Sequence, residues 1–198
     1  MNAQTATLSP AGEYYLQGVM ETASGFKLDK NGTFQFFYSY GALDRFGSGK
    51  WTSKGDHVIL NSEKKHPLDF ALVRSEKKSG DNITIKITDA NTHLLRYVYG
   101  IITAGEVMQQ GAADSDGLMI FTPQKMDSIY LIFEFCPEKQ SEFAIPANGH
   151  NYFEFRVEPW IMEVYFENFD LQIKDNGLEG NHPILAENRK YNYEKAGH

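Results

Sequence analysis

A chain of 198 residues, 41% hydrophobic and 23% charged, suits one large or two small globular domains and is not a disordered polymer. Its net charge of −7, with no basic stripe, argues against a nucleic-acid partner, and no apolar run reaches the roughly 18 residues of a membrane helix, so no membrane span is expected. Cys136 is the only cysteine, which excludes an intrachain disulfide and any Cys-based zinc site within one chain.

Residues 1–11 are polar and small and read as a flexible lead. The Asn2-Ala3-Gln4 run looks like the end of a removed export signal behind an added Met1. This predicts a periplasmic or secreted protein, with a cytoplasmic one as the alternative. From Gly12 the pattern becomes β. Residues 13–20 make a first strand, and Asn31-Gly32 supplies the turn of a hairpin. Residues 33–40 alternate, with Phe34, Phe36, Tyr38 and Tyr40 on one face and Gln35, Phe37 and Ser39 on the other. Gly41 to Gly49 is read as a glycine-punctuated loop before Trp51, which is carried inward. Residues 50–52 and 57–60 then pair about the Gly55-Asp56 turn.

Residues 68–73 form another strand, and the charged run 74–82 is the best domain boundary. Beyond it lie strands at 83–87, 97–103, 119–121, 129–135, 152–157 and from 161 onward, with Pro159 at a bend. The tail from Asp175 is polar and is expected to lie extended over a sheet or to fray. The fold class is therefore all-β: two small antiparallel domains over residues 12–74 and 83–175, with flexible or extended tails at 1–11 and 176–198.

Two resemblances follow. Gly12-Glu-Tyr-Tyr-Leu16, Asn31-Gly-Thr-Phe34, Gly49-Lys-Trp51 and Gly55-Asp-His-Val-Ile-Leu60 resemble the lipocalin-like β-units of bacterial envelope proteins. Ile83 to Thr92, Ala113-Asp-Ser-Asp-Gly-Leu118 and Ile129-Tyr-Leu-Ile-Phe133 resemble a transthyretin-like or carboxypeptidase-regulatory-like β-sandwich, a prealbumin-like architecture that usually serves as an accessory module. Neither resemblance specifies an activity.

The residues that bear on chemistry are few. Asp114-Ser-Asp-Gly117 has the oxygen spacing of a calcium loop, but Leu118-Met-Ile-Phe121 follows where further ligands are needed, so a β-turn is the reading. The six histidines form no short-spaced pair, and no nucleophile elbow or phosphate loop appears. Nine carboxylates stand against three basic residues between Glu134 and Asp175, yet Glu163 and Glu167 alternate outward as on a solvated face. Cys136, flanked by Glu134 and Glu138, has the wrong electrostatics for a thiolate. No catalytic residue, metal or other cofactor is expected. Tyr38, Tyr40, Asp44, Arg45 and Phe46 are the candidate ligand-binding residues, as the rim of a pocket around the 41–49 loop. The expected function is a non-catalytic bacterial envelope module binding a protein or glycan partner. The alternatives are a lipocalin-like binder of small apolar ligands and an enzyme of unrecognised type.

Overall fold

The structure, a computed structural model, describes residues 9–197. The chain is all-β, and it divides into two compact units: one joins the segment up to Lys65 to the segment from Glu163 onward, and the other spans His66–Met162. The expected signal remnant at residues 2–4 lies outside the described residues.

The first unit is a closed antiparallel barrel of eight strands: β1 (Gly12–Leu16), β2 (Thr22–Leu28), β3 (Thr33–Tyr40), β4 (Leu43–Lys54), β5 (His57–Asn61), β14 (Phe169–Lys174), β15 (Gly177–Gly180) and β16 (Tyr191–Lys195). Each strand pairs with the next along the barrel's own order, and β16 returns to β1 through Leu16↔Tyr193. Closure removes every free sheet edge. Period-two alternation sends Phe26, Leu28, Phe34, Phe36, Val58, Leu60, Leu171 and Tyr193 inward, where they are buried. Gly32, at φ +85°, makes the tight turn between β2 and β3 at the predicted Asn-Gly.

Three expectations are corrected here. Gly41 to Gly49 is not a loop: Tyr40 pairs with Leu43 across a two-residue turn, and β4 runs unbroken through Lys54. Its glycines mislead because they sit on the inward face, where the barrel is crowded. A Cβ on Gly47 would stand 2.6 Å from the Phe166 ring and 2.8 Å from the Val164 carbonyl. The polar tail neither frays nor lies over a sheet: β15 and β16 complete the barrel wall, each contributing only a few inward apolar residues such as Leu178 and Tyr191. The strand expected from residue 161 onward begins at Phe169. Residues 163–166 instead line the part of β4 that β5 does not reach, through a parallel bridge of Phe46 to Glu163 and a hydrogen bond from Val164 N to Phe46 O of 2.7 Å.

The second unit is a sandwich of two four-stranded sheets around one core. One sheet has the order β10 (Leu118–Phe121), β7 (Ile83–Thr88), β13 (Tyr152–Val157), β6 (Phe70–Glu76). The other has β12 (Gln140–Ala144), β11 (Ser128–Phe133), β8 (Val98–Ala104), β9 (Val107–Ala112). Ile85, Ile87, Phe153 and Phe155 of the first sheet share the core with Ile102, Ile129 and Leu131 of the second. A 3-10 helix over Thr92–Tyr97 links β7 to β8 and buries Leu95. The charged run at 74–82 is not a boundary. It connects β6 to β7, and both strands flank β13, so it lies within one sheet. Solvated loops and domain linkers share a composition, and only the pairing tells them apart.

The sandwich is an insertion. β5 and β14 are barrel neighbours, with Phe169 opposite Leu60, and the whole of the second unit lies in the chain between them. Its own ends lie side by side, since Phe70 pairs with Val157. A clasp closes this entrance: Lys139 Nζ donates to Asp69 Oδ1 at 3.0 Å and to the Ile161 carbonyl at 3.1 Å. Trp160 donates its indole N–H to the Leu68 carbonyl and stacks on His66.

Candidate functional site

The barrel interior holds a packed cluster of its own aromatic and aliphatic side chains. Phe166 enters from the segment before β14, and its ring meets Phe26, Phe34, Phe36 and Phe169 at centroid separations of 5.1 to 6.1 Å, all four edge-on at 67° to 89°. Aromatic quadrupoles favour such tilted contacts. Trp51 closes on the same core from β4, half-buried, and donates Nε1–H to the Asp29 carbonyl at 2.9 Å.

The structure separates the five candidate binding residues. Tyr38 and Arg45 form a cross-strand pair pointing into the barrel, where they are 6% and 3% exposed. Asp44 and Phe46 point outward from the same strand, and Tyr40 stands exposed at the hairpin end. The pocket rim imagined for a loop therefore does not assemble. One residue step along a strand reverses the face, and a segment read as loop carries no such parity.

The outer barrel face carries an arrangement that the sequence reading missed. One cross-strand row runs Tyr15, Gly25, Phe37, Phe46 over β1 to β4. Gly25 has no side chain to fill its place in the row, and a Cβ there would stand 3.0 Å from Phe37 Cε1. The Phe37 ring therefore lies across Gly25 and meets Tyr15 at 6.1 Å between centroids, edge to face. Tyr15, Phe37 and Phe46 remain 42%, 39% and 51% exposed. The next row on one side is Glu13, Lys27, Gln35, Ser48, and on the other Ala23, Ser39, Asp44. An aromatic centre is thus bordered by mostly polar residues that can bond to a partner. Alternation in residues 33–40 already placed Phe37 on the face opposite Phe36; the signal that could have found the row is this outward Phe together with outward Tyr15 and Phe46.

His182, one of the buried polar groups of the barrel, is tucked inside by the connection between β15 and β16, 3% exposed. Its Nδ1 accepts the backbone N–H groups of Ile184 and Leu185, both at 3.1 Å, so the ring proton sits on Nε2. Nε2 then donates to Ser24 Oγ at 3.0 Å, and Ser24 donates onward to the Phe37 carbonyl at 2.7 Å. A Ser–His pair invites comparison with a hydrolase dyad, but the direction is reversed. The imidazole lone pair is committed to two backbone donors, so it cannot take the serine proton. Burial pushes the His182 pKa down to about 4.

In the sandwich, Asp114 Oδ1 accepts the N–H groups of Asp116 and Leu118 at 2.9 and 2.8 Å, which makes the Asp114–Gly117 stretch a self-capped turn. A cleft of about 700 Å³ at one end of the sandwich has an apolar wall including Ile83, Pro123 and Ile145, with Lys77, Lys125, Asp81 and Asp127 around it. Cys136 is buried, its Sγ 3.7 Å from Met162 Sδ. Among the described residues no three His, Cys, Asp or Glu side chains are grouped to hold a metal ion, and no helix is long and apolar enough to cross a membrane.

Comparison with protein-family models, with curated proteins and with solved structures finds no match to this chain.

Proposed function

We propose that this protein is a non-catalytic binding module, and that the aromatic row on the outer barrel face engages a partner protein. The observation that carries the reading is the row itself: Tyr15, Phe37 and Phe46 exposed along one cross-strand row, with Glu13, Lys27, Gln35 and Ser48 on one side and Ser39 and Asp44 on the other. An apolar, aromatic centre with a polar rim is the anatomy of a protein interface, and Tyr and other aromatic anchors supply much of the affinity there. The edge-to-face setting of Tyr15 on Phe37 favours a partner with shaped pockets over the flat stacking of a sugar chain. Asp44 and Phe46, two of the five residues singled out in the sequence, belong to this surface; Tyr38 and Arg45 serve the barrel interior. The up-and-down barrel order supports kinship of architecture with lipocalin-like envelope units, and export to the envelope is part of the proposal. The aromatic packing inside the barrel weighs against the small-ligand alternative.

The test compares the full chain with a Phe37→Ser/Phe46→Ser variant. Both are used to capture partners from an envelope extract of the source cells and to probe a glycan array. A protein that binds the full chain stoichiometrically and is lost from the variant, at unchanged circular dichroism, is the expected result. Glycan binding lost in the same variant would replace the protein by a glycan. Capture of the same protein by both forms would remove the aromatic row from the function.

A further inference from the structure

We propose that residues 181–190, which join β15 to β16, form an acid-released lid on one end of the barrel, with His182 as the latch. The latch is built from directional bonds. His182 Nδ1 is the acceptor for the Ile184 and Leu185 N–H groups, and these two bonds curl the start of the connection back over its own histidine. Ile184 and Leu185 are thereby held half-buried against the barrel core. The opposite ring nitrogen is anchored on Ser24 of β2.

A second proton on the ring can go only to Nδ1. It would set an N–H against two N–H donors, breaking both bonds at once and leaving repulsion where there was attraction. The rings around it offer the resulting cation no carboxylate to pair with. The ring lies among Phe36 and Tyr38 of β3 and Tyr191 and Tyr193 of β16, at centroid separations of 5.5 to 6.4 Å. Ser24, already donating to the Phe37 carbonyl, offers an oxygen but no charge. Release of the connection lets the imidazolium reach water, and it uncovers Tyr38, Tyr191 and Tyr193. The latch meets the proposed partner surface only at the Phe37 backbone carbonyl, which accepts from Ser24, and uses none of its side chains.

The strength of the device follows from the proton's preference. The ring titrates at about 4 inside the barrel and near its ordinary 6.5 once released. The ratio of open to closed lid should therefore rise on the order of 100-fold between pH 7 and pH 4.5. Amide hydrogen exchange of the full chain, corrected for the intrinsic pH dependence, reads this directly. The expected result is a loss of protection at Ile184 and Leu185 at pH 4.5, with the amides of β2 and β3 still protected. A His182→Gln variant, which cannot take up a proton, should show no such change. If that variant does not fold, the imidazole nitrogen shifts of the wild type serve instead, and His182 protonation should share its midpoint with the loss of amide protection. Unchanged protection at Ile184 and Leu185 at pH 4.5 would overturn the proposal. So would release at the same pH as the amides of β2 and β3, which would mean global unfolding, or acid release that persists in His182→Gln.

Discussion

Single residues in the barrel do work that their types conceal. Gly47 is a strand residue whose missing Cβ leaves room for the Phe166 ring. Gly47→Ala should therefore destabilise the barrel by about 1–3 kcal/mol, as overpacking does. Trimming the ring in a Gly47→Ala/Phe166→Leu double variant should show coupling between the two sites in a chemical-denaturation cycle, because they share one space. Trp51 offers a graded test. Trp51→Phe removes the bond to the Asp29 carbonyl and should cost about 1 kcal/mol. Trp51→Ala also opens a cavity and should cost about 3 kcal/mol or more; wild-type stability in Trp51→Ala would mean that the ring contributes no packing. His182 sets a pH limit. Its folded pKa lies below its unfolded one, so its neutral form stabilises the fold fully above pH 6.5. That contribution drains away as the pH falls from 6.5 towards 4, reaching about 3 kcal/mol. Urea midpoints measured across this window should fall more steeply in the wild type than in His182→Gln.

At the scale of elements, turns and edges decide what pairs with what. Strand β6 lies at the edge of its sheet with Leu72 and Val73 exposed, and its register on β13 shifts between Glu154 and Phe155. A bulge of this kind twists an edge away from further pairing. The β10 turn is held by Asp114, whose carboxylate takes the N–H groups of Asp116 and Leu118. Asp114→Ala should cost about 1–2 kcal/mol by leaving those donors without their partner. Calcium should leave the thermal midpoint of the wild type unmoved; a rise on addition of calcium would mean the carboxylates serve an ion after all. The clasp of Lys139 on Asp69 and the Ile161 carbonyl ties the two ends of the sandwich together. It is a fastening for the insertion, and its elements come from stretches 70 residues apart in sequence.

For the whole molecule, the insertion makes a strong claim about folding. The sandwich begins and ends on paired neighbours, and the buried residues of its core all lie between Phe70 and Ile161. A fragment of residues 66–162 should fold by itself with β-type circular dichroism and one cooperative thermal transition. A fragment that stays unfolded would show that the barrel is needed to hold it. Cleavage within residues 77–82 should leave the pieces associated, because β6 and β7 both rest on β13.

Alternation made the class and many strands legible in the sequence. Residues 152–157 carry the bounds of β13, and 33–40 those of β3, in their pattern alone, because apolar and polar residues alternate there. Asn31-Gly32 and Gly55-Asp56 marked their turns because few residues tolerate that backbone. What the sequence could not supply was closure. β15 and β16 have too few apolar residues to announce themselves, and become strands because the barrel leaves a gap of their width between β14 and β1. The same holds for the binding surface and the latch. Tyr15, Phe37 and Phe46 are spread over three strands, and Ser24 and His182 stand 158 positions apart. Their meeting is set by barrel register and by the long-range pairing of the chain's two ends, and neither leaves a local trace in residue order.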